Sequence, residues 1–350
     1  RERAVKKTAF VVLVWVAVFA LAVGSSAVMA AAGPVKLGLG HITSIAKSKD
    51  LAVDGKGKVV PPMAQVDSAI AAVAFDAKGR VVKVNLDSAQ SKISFNKDFT
   101  VANDLTAKGL TKVELGDGYG MRKASGIGKE WNEQIAELEK WMTGKTVAEI
   151  KALKVKQRDA GHPAVPDVPE LTSVVTITVQ DYIAAVEKAW ENAVSVAAGG
   201  EKLGLGHEVS IASSKPAAAQ VDTTLAATLY DKDGRVVGVI IDVIQSKVPF
   251  DTKTAKVTAD RNAEIKSKKE LGDAYGMIRA SSIKKEWHEQ AAELEKWMVG
   301  KTAKDIQALK VREKDAHHVA VPDVPELTSR VTMTVESFLA AVGESYSNAR

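Results

Sequence analysis

The chain has 350 residues, a net charge of +5, a hydrophobic fraction of 46% and no cysteine. That length suits two ordinary domains better than one. The missing cysteine excludes disulfides, thiolate metal sites, thioether-linked haem, a cysteine nucleophile and a lipid-modified N-terminal cysteine. Basic residues are interspersed with acids and form no aromatic-laced stripe, so no nucleic-acid partner is expected.

The first segment is tripartite: basic "RERAVKK", an apolar run from Ala9 to Val23, then small residues around Ala30–Ala32 at the spacing a signal peptidase accepts. The apolar run is shorter than a spanning helix prefers. Residues 1–32 are therefore expected to be a signal peptide or anchor. The protein is expected outside the cytoplasm, secreted or at the cell surface, with membrane contact only if that segment is retained.

Everything after it is written twice. "KLGLGH" opens both copies, at Lys36–His41 and Lys202–His207. "AQVDSAIAAVAFDAKGRVVKVNLD" is matched by "AQVDTTLAATLYDKDGRVVGVIID". In each, a run of β-branched and small apolar residues meets a turn signal and then a second run. Val66–Phe75 and Val81–Asp87 thus predict a β-hairpin, the second strand half-buried by its alternation. The Gly-x-Gly of "KLGLGH" lacks the strand-to-helix setting and third glycine of a phosphate loop, and "DKDG" at 231–234 lacks the later ligands of a calcium loop.

A helix is predicted over Lys129–Met142, with Trp131, Ile135, Leu138 and Met142 on one face and Trp141 beside them. The pattern recurs at Trp287, Ala291, Leu294, Trp297 and Met298, so these aromatics read as core. Gly144 and Gly300 end the helices. Thr146 with Glu149, and Thr302 with Asp305, then fit capping boxes for a short helix.

"AVPDVPELTS" follows, identical at Ala164–Ser173 and Ala320–Ser329. Its prolines stiffen the chain and push the preceding residues away from helix, which suits a joint. Asp167 and Glu170 have no base, nucleophile or ligand cluster beside them in sequence to make a catalytic pair. "TSVVTITV" then predicts a strand, and "QDYIAAVEKAWENA" a helix with Ile183, Val186 and Trp190 inward. Strands and helices segregate, so the fold class is α+β: two tandem homologous domains, each an antiparallel sheet with packed helices. The domains are 35–192 and 202–350, with 193–201 as a linker short enough to limit relative motion. Two histidine pairs recur in register, His41 with His207 and His162 with His318. No ligand spacing accompanies them, and no metal is expected.

The repeat resembles the bacterial extracytoplasmic FMN-binding domain family, in its tandem, lipoprotein or major membrane immunogen type. The resemblance rests on "GLGH", "ELGD-x-YGM", "KEW-x-EQ-x-AELEKWM-x-GKT" and "VPDVPELTS-x-VT-x-TV", which span nearly all of both copies. It implies an isoalloxazine site that Tyr119, Met121, Tyr275 and Met277 would line, the alternative being that these four side chains are core. It also implies that a hydroxyl in a Ser-Gly-Ala-Thr-like motif receives FMN through a phosphoester. That motif falls near Thr172, Ser173 and Thr176, and near Thr328, Ser329 and Thr332, without its glycine and alanine. The lipoprotein cysteine is absent too.

The sequence reading expects a non-catalytic surface protein, not an enzyme, built on two such domains that hold no cofactor. FMN and extracytoplasmic electron transfer form the alternative. The likeness of "AVMAAAGPVK" (27–36) to the linker "AVSVAAGGEK" (193–202) further suggests that one molecule's arm docks where another's linker does. Such a heterologous contact joins copies head to tail into filaments or tubes.

Overall fold

A computed structural model describes residues 35–350, residue 317 excepted. The expected signal or anchor, its cleavage site and most of the arm likened to the linker lie outside the described residues.

Each half opens with a strand that pairs antiparallel to one arm of a long hairpin. In the first half Lys36–Ser44 pairs with Met63–Phe75, which pairs with Val81–Ser94. In the second, Lys202–Ser210 pairs with Ala218–Tyr230, and that with Val236–Asp251. The hairpin turn is closed by Asp76, whose carboxylate accepts from the amides of Lys78 and Arg80; Asp231 does the same for Asp233 and Arg235. The fold is α+β, with antiparallel sheets and packed helices.

The two sheets lie face to face within one compact unit. Leu37, Ile70 and Ile93 from one sheet share a core with Leu203, Leu225 and Ile244 from the other. The opposite face of each sheet carries its own helices, in two further cores. The layers run helix, sheet, sheet, helix. Alternation makes Val81–Asp87 a half-buried strand; in the structure five of these seven residues are buried, on both faces. The second half covers the face that alternation assigns to water.

The glycines of "KLGLGH" act through their size. A Cβ on Gly38 would stand 1.9 Å from the carbonyl oxygen of Ala189, and one on Gly40 would stand 2.2 Å from that of Ala185. Both carbonyls belong to the helix Gln180–Glu191, which lies directly on the opening strand. Gly204 and Gly206 admit the helix Glu336–Ser347 in the same way. Tight helix–sheet contact, not phosphate binding, is their role here.

Four long helices of equal length dominate; of these Trp131–Met142 and Trp287–Met298 match the predicted helix, with Trp131, Ile135, Leu138 and Met142 buried as the periodicity predicts. Both predicted capping boxes form, at Thr146 with Glu149 and at Thr302 with Asp305. Two expectations need correction. On the last helix of the first half the buried face is Tyr182, Ala185, Val186 and Ala189; Ile183 and Trp190 sit at its margin, and Trp190 meets Phe75 edge-on at 4.9 Å. Small residues face the sheet because the glycine contact leaves no room for larger ones. "TSVVTITV" is not a strand. Pro169 starts a one-turn helix, Pro169–Thr172, and the Leu171 carbonyl then accepts from the amides of Val174 and Val175. With those amides turned inward, the segment cannot offer a ladder to a sheet.

The decapeptide is a joint, as its prolines imply. Val165–Pro166 pairs with Val155–Lys156, Leu171 is buried, and Asp167 is ion-paired to Lys156 at the surface. The linker residues Val194–Ser195 extend the first sheet beside Lys36 and Leu37.

Candidate functional site: twin clefts

Each half carries one cleft where the Tyr-Gly-Met loop, the long helix and the segment after the decapeptide converge. The volumes are about 510 Å³ in the first half and 450 Å³ in the second. Such sizes suit a cofactor or other small molecule.

The Tyr-Gly-Met loop is fixed from beneath. Glu130, buried at the N-terminus of the long helix, accepts from the amides of Met121 and Arg122. Glu286 holds Met277 and Ile278 in the same way. That grip places Tyr119 and Met121 in the first cleft and Tyr275 and Met277 in the second. Over these rings lies a lysine. The Lys112 ammonium is 4.9 Å from the Tyr119 ring centre and 5.4 Å from that of Trp131; Lys268 is 4.9 and 5.5 Å from Tyr275 and Trp287. A cation held over two aromatic faces is a ready partner for a ligand carrying both a flat ring and negative charge.

Of the hydroxyls implied by resemblance, Thr172, Ser173, Thr328 and Ser329 are not among the cleft-lining residues. The first and third turn back onto the Val168 and Val324 carbonyls, because the one-turn helix puts each within reach of the residue four positions earlier. Thr176 and Thr332 spend their amides and hydroxyls on Gln134 and Gln290; Thr332 lines its cleft, whereas Thr176 is not among the residues lining the first. Among the described residues lining the clefts, the buried hydroxyls without a partner belong to Thr178 and Thr334, which sequence reasoning missed. A buried hydroxyl left unpaired costs roughly 1–3 kcal/mol, and a ligand's polar atom relieves it only once the side chain turns its oxygen into the cleft.

Gln134 and Gln290 were missed as well. Each is fully buried, and its amide nitrogen donates to a serine, Ser125 or Ser281, while its oxygen takes the threonine. They orient the segment that presents Thr178 and Thr334.

The recurring histidines separate. His162 and His318 line the clefts, each with Nδ1 bonded to a neighbouring aspartate, Asp159 or Asp315. The His162 contact, with help from Arg158, holds the Asp159 carboxyl down at about 2. His41 and His207 are instead buried between the halves, so neither cleft pairs two histidines.

No family model matches the chain, and no solved structure does. A stretch of 111 residues, 28% of the chain, is 35% identical to a chlorophenol reductase of Desulfitobacterium hafniense. The chain spans about a third of that relative's length. The expectation of a non-enzyme is therefore corrected: this similarity is to a protein named as a reductase, and composition and motif absence had no power to exclude redox chemistry that a bound cofactor would carry.

Proposed function

We propose that the chain is a redox protein that holds a flavin of the FMN type, without a covalent link, in its clefts. The observation that carries this reading is the repeated set in each cleft: two aromatic rings under a lysine, with an unpartnered buried threonine hydroxyl nearby. The distant likeness to a reductase supports a redox role. The whole-repeat resemblance to extracytoplasmic FMN-binding domains supports the flavin, and the tripartite N-terminus supports a place outside the cytoplasm.

The residues fit such a group in a defined way. Tyr119 offers a face for a flat ring system, backed by the buried Trp131, and Lys112 offers charge for a phosphate or a reduced ring. Thr178 offers a hydroxyl donor or acceptor. Thr172, bonded to the Val168 carbonyl, and Ser173, outside the cleft lining, do not fit as attachment points, and Thr176 is already bonded to Gln134. Bound flavin would supply reversible one- and two-electron transfer. The protein's own part is to bind, orient and shield that ring.

The test is a visible absorption spectrum of the full-length protein isolated from its host. Flavin bands that leave with the small-molecule fraction on denaturation are expected. A colourless protein that also fails to take up added FMN would overturn the reading.

A further inference from the structure

Two clusters of charge lie between the halves, related by the internal duplication, and they are not equivalent. In the first, His41 bonds Glu270 at 2.9 Å and Thr43 at 3.0 Å. The Lys188 ammonium sits between Glu270 at 3.0 Å and Glu264 at 2.7 Å. Every charged partner there is in contact with its opposite.

In the second cluster His207, Glu114 and Glu344 stand where His41, Glu270 and Lys188 stand in the first. A carboxylate has replaced the ammonium. Lys108, at the position of Glu264, is the reversed half of that exchange, but it does not fill the gap. Its side chain is 48% exposed, 3.3 Å from Glu208 and 3.7 Å from Glu114. His207 is 2% exposed, and its Nε2 has no hydrogen-bond partner. That nitrogen faces Asp87 at 3.6 Å, while Nδ1 faces Glu344 at 3.5 Å. Both separations are at or beyond the limit of a useful hydrogen bond. Glu114 keeps one oxygen on the Thr111 amide in a capping box, and Glu344 keeps one on the His207 amide. The second oxygen of Glu114 meets Lys108 at 3.7 Å, and that of Glu344 takes long contacts from Asn348 Nδ2 at 3.3 Å and His207 Nδ1 at 3.5 Å, which a bound metal would displace.

We propose that Glu114, His207 and Glu344 form a binding site for one divalent transition-metal ion between the two halves, with Asp87 beside the imidazole. One ligand atom from each of the three already lies within 4.8 Å of the others. Bonds of 2.0–2.1 Å in tetrahedral geometry need ligand separations of roughly 3.4 Å, so a small closure completes the site. One imidazole and two carboxylates suit a borderline ion such as Zn²⁺ or Co²⁺. A carboxylate at the far side of the ring is the usual orienting partner of a ligating histidine. The metal takes the place that the Lys188 ammonium fills in the first cluster. Glu114 comes from the first half and the other two ligands from the second, so the ion would staple the halves together.

The test uses the full chain, stripped with a chelator and titrated with Co²⁺ while visible ligand-field bands are followed, then with Zn²⁺ as competitor. One equivalent should bind with bands that Zn²⁺ displaces, and metal should raise the melting temperature. Glu344→Lys, which installs the residue found in the first cluster, should weaken binding at least about tenfold and abolish the thermal shift; Glu114→Gln should act in the same direction. Absence of Co²⁺ binding by the wild-type protein would overturn the proposal. Binding unchanged in both variants would overturn it equally.

Discussion

The two clefts share a floor and differ at the rim. Tyr, Met, Trp, Lys, His and an unpartnered Thr recur in both. The first cleft adds Lys47 and Asp181, so its lining charges are two lysines, Lys47 and Lys112, against Asp67 and Asp181. The second has Lys314 and Ser337 instead, leaving Lys268 and Lys314 against Asp222 alone. Tyr182 at the base of the first is Phe338 in the second, and Ser88 is Val243. Under the flavin proposal, the second cleft, with one lining carboxylate fewer, should hold an anionic ligand more tightly than the first. The interface clusters differ in the same manner, a lysine in one answering a glutamate in the other.

The comparison can be broken most severely where the halves are still identical. Gly40→Val or Gly206→Val would drive a side chain into the carbonyls of Ala185 or Ala341, whose oxygens stand 2.2 and 1.9 Å from where the new Cβ would sit. Backbone cannot yield as a side-chain tip can. A loss of about 4 kcal/mol or more in urea unfolding is expected for either. Equal loss in both would show that the halves depend on one packing rule; a tolerated valine would refute it.

A smaller effect separates the interface clusters. Glu270 has its carboxyl held down to about 2, since bonds from His41 and Lys188 outweigh the burial that would raise it. A depressed carboxylate stabilises the fold above its unfolded value of 4.5 and loses that contribution as pH falls toward 2. Between these limits the wild type should lose more stability with falling pH than Glu270→Gln does, by about 1 kcal/mol once solvent screening is allowed for, in urea unfolding followed across that range. A variant with the same pH profile would mean the pair contributes nothing. Glu139 runs the opposite way: burial, only partly offset by Arg350, raises its carboxyl to about 7. Its cost grows as pH rises from 4.5 through 7, so Glu139→Gln should gain stability on the wild type at pH 8 and not at pH 4, by thermal melts at both.

Local signals were readable because they depend on neighbours in sequence. The hairpin turn at Asp76, the helix around Trp131 and the capping box at Thr146 each need only a few adjacent residues. The burial of both sheet faces was not readable, since Leu37 and Ile70 look alike whether they face helices or a second sheet. The β-branched run after Ser173 read as a strand because propensity says nothing of where its amides go. Thr176 and Thr178 are chemically the same in sequence; only the position of Gln134, 42 residues away from Thr176, decides which hydroxyl is spent and which is left in the cleft. His41 and Glu270 of the first interface cluster are 229 positions apart, beyond any spacing rule.

The most direct test of the flavin reading is an equilibrium titration of FMN with the purified full-length protein, followed by flavin fluorescence at low and moderate salt. Saturable, salt-sensitive quenching is predicted, weakened roughly fivefold by Lys268→Ala and less by Lys112→Ala. Absence of quenching, or binding indifferent to both lysines, would contradict the account.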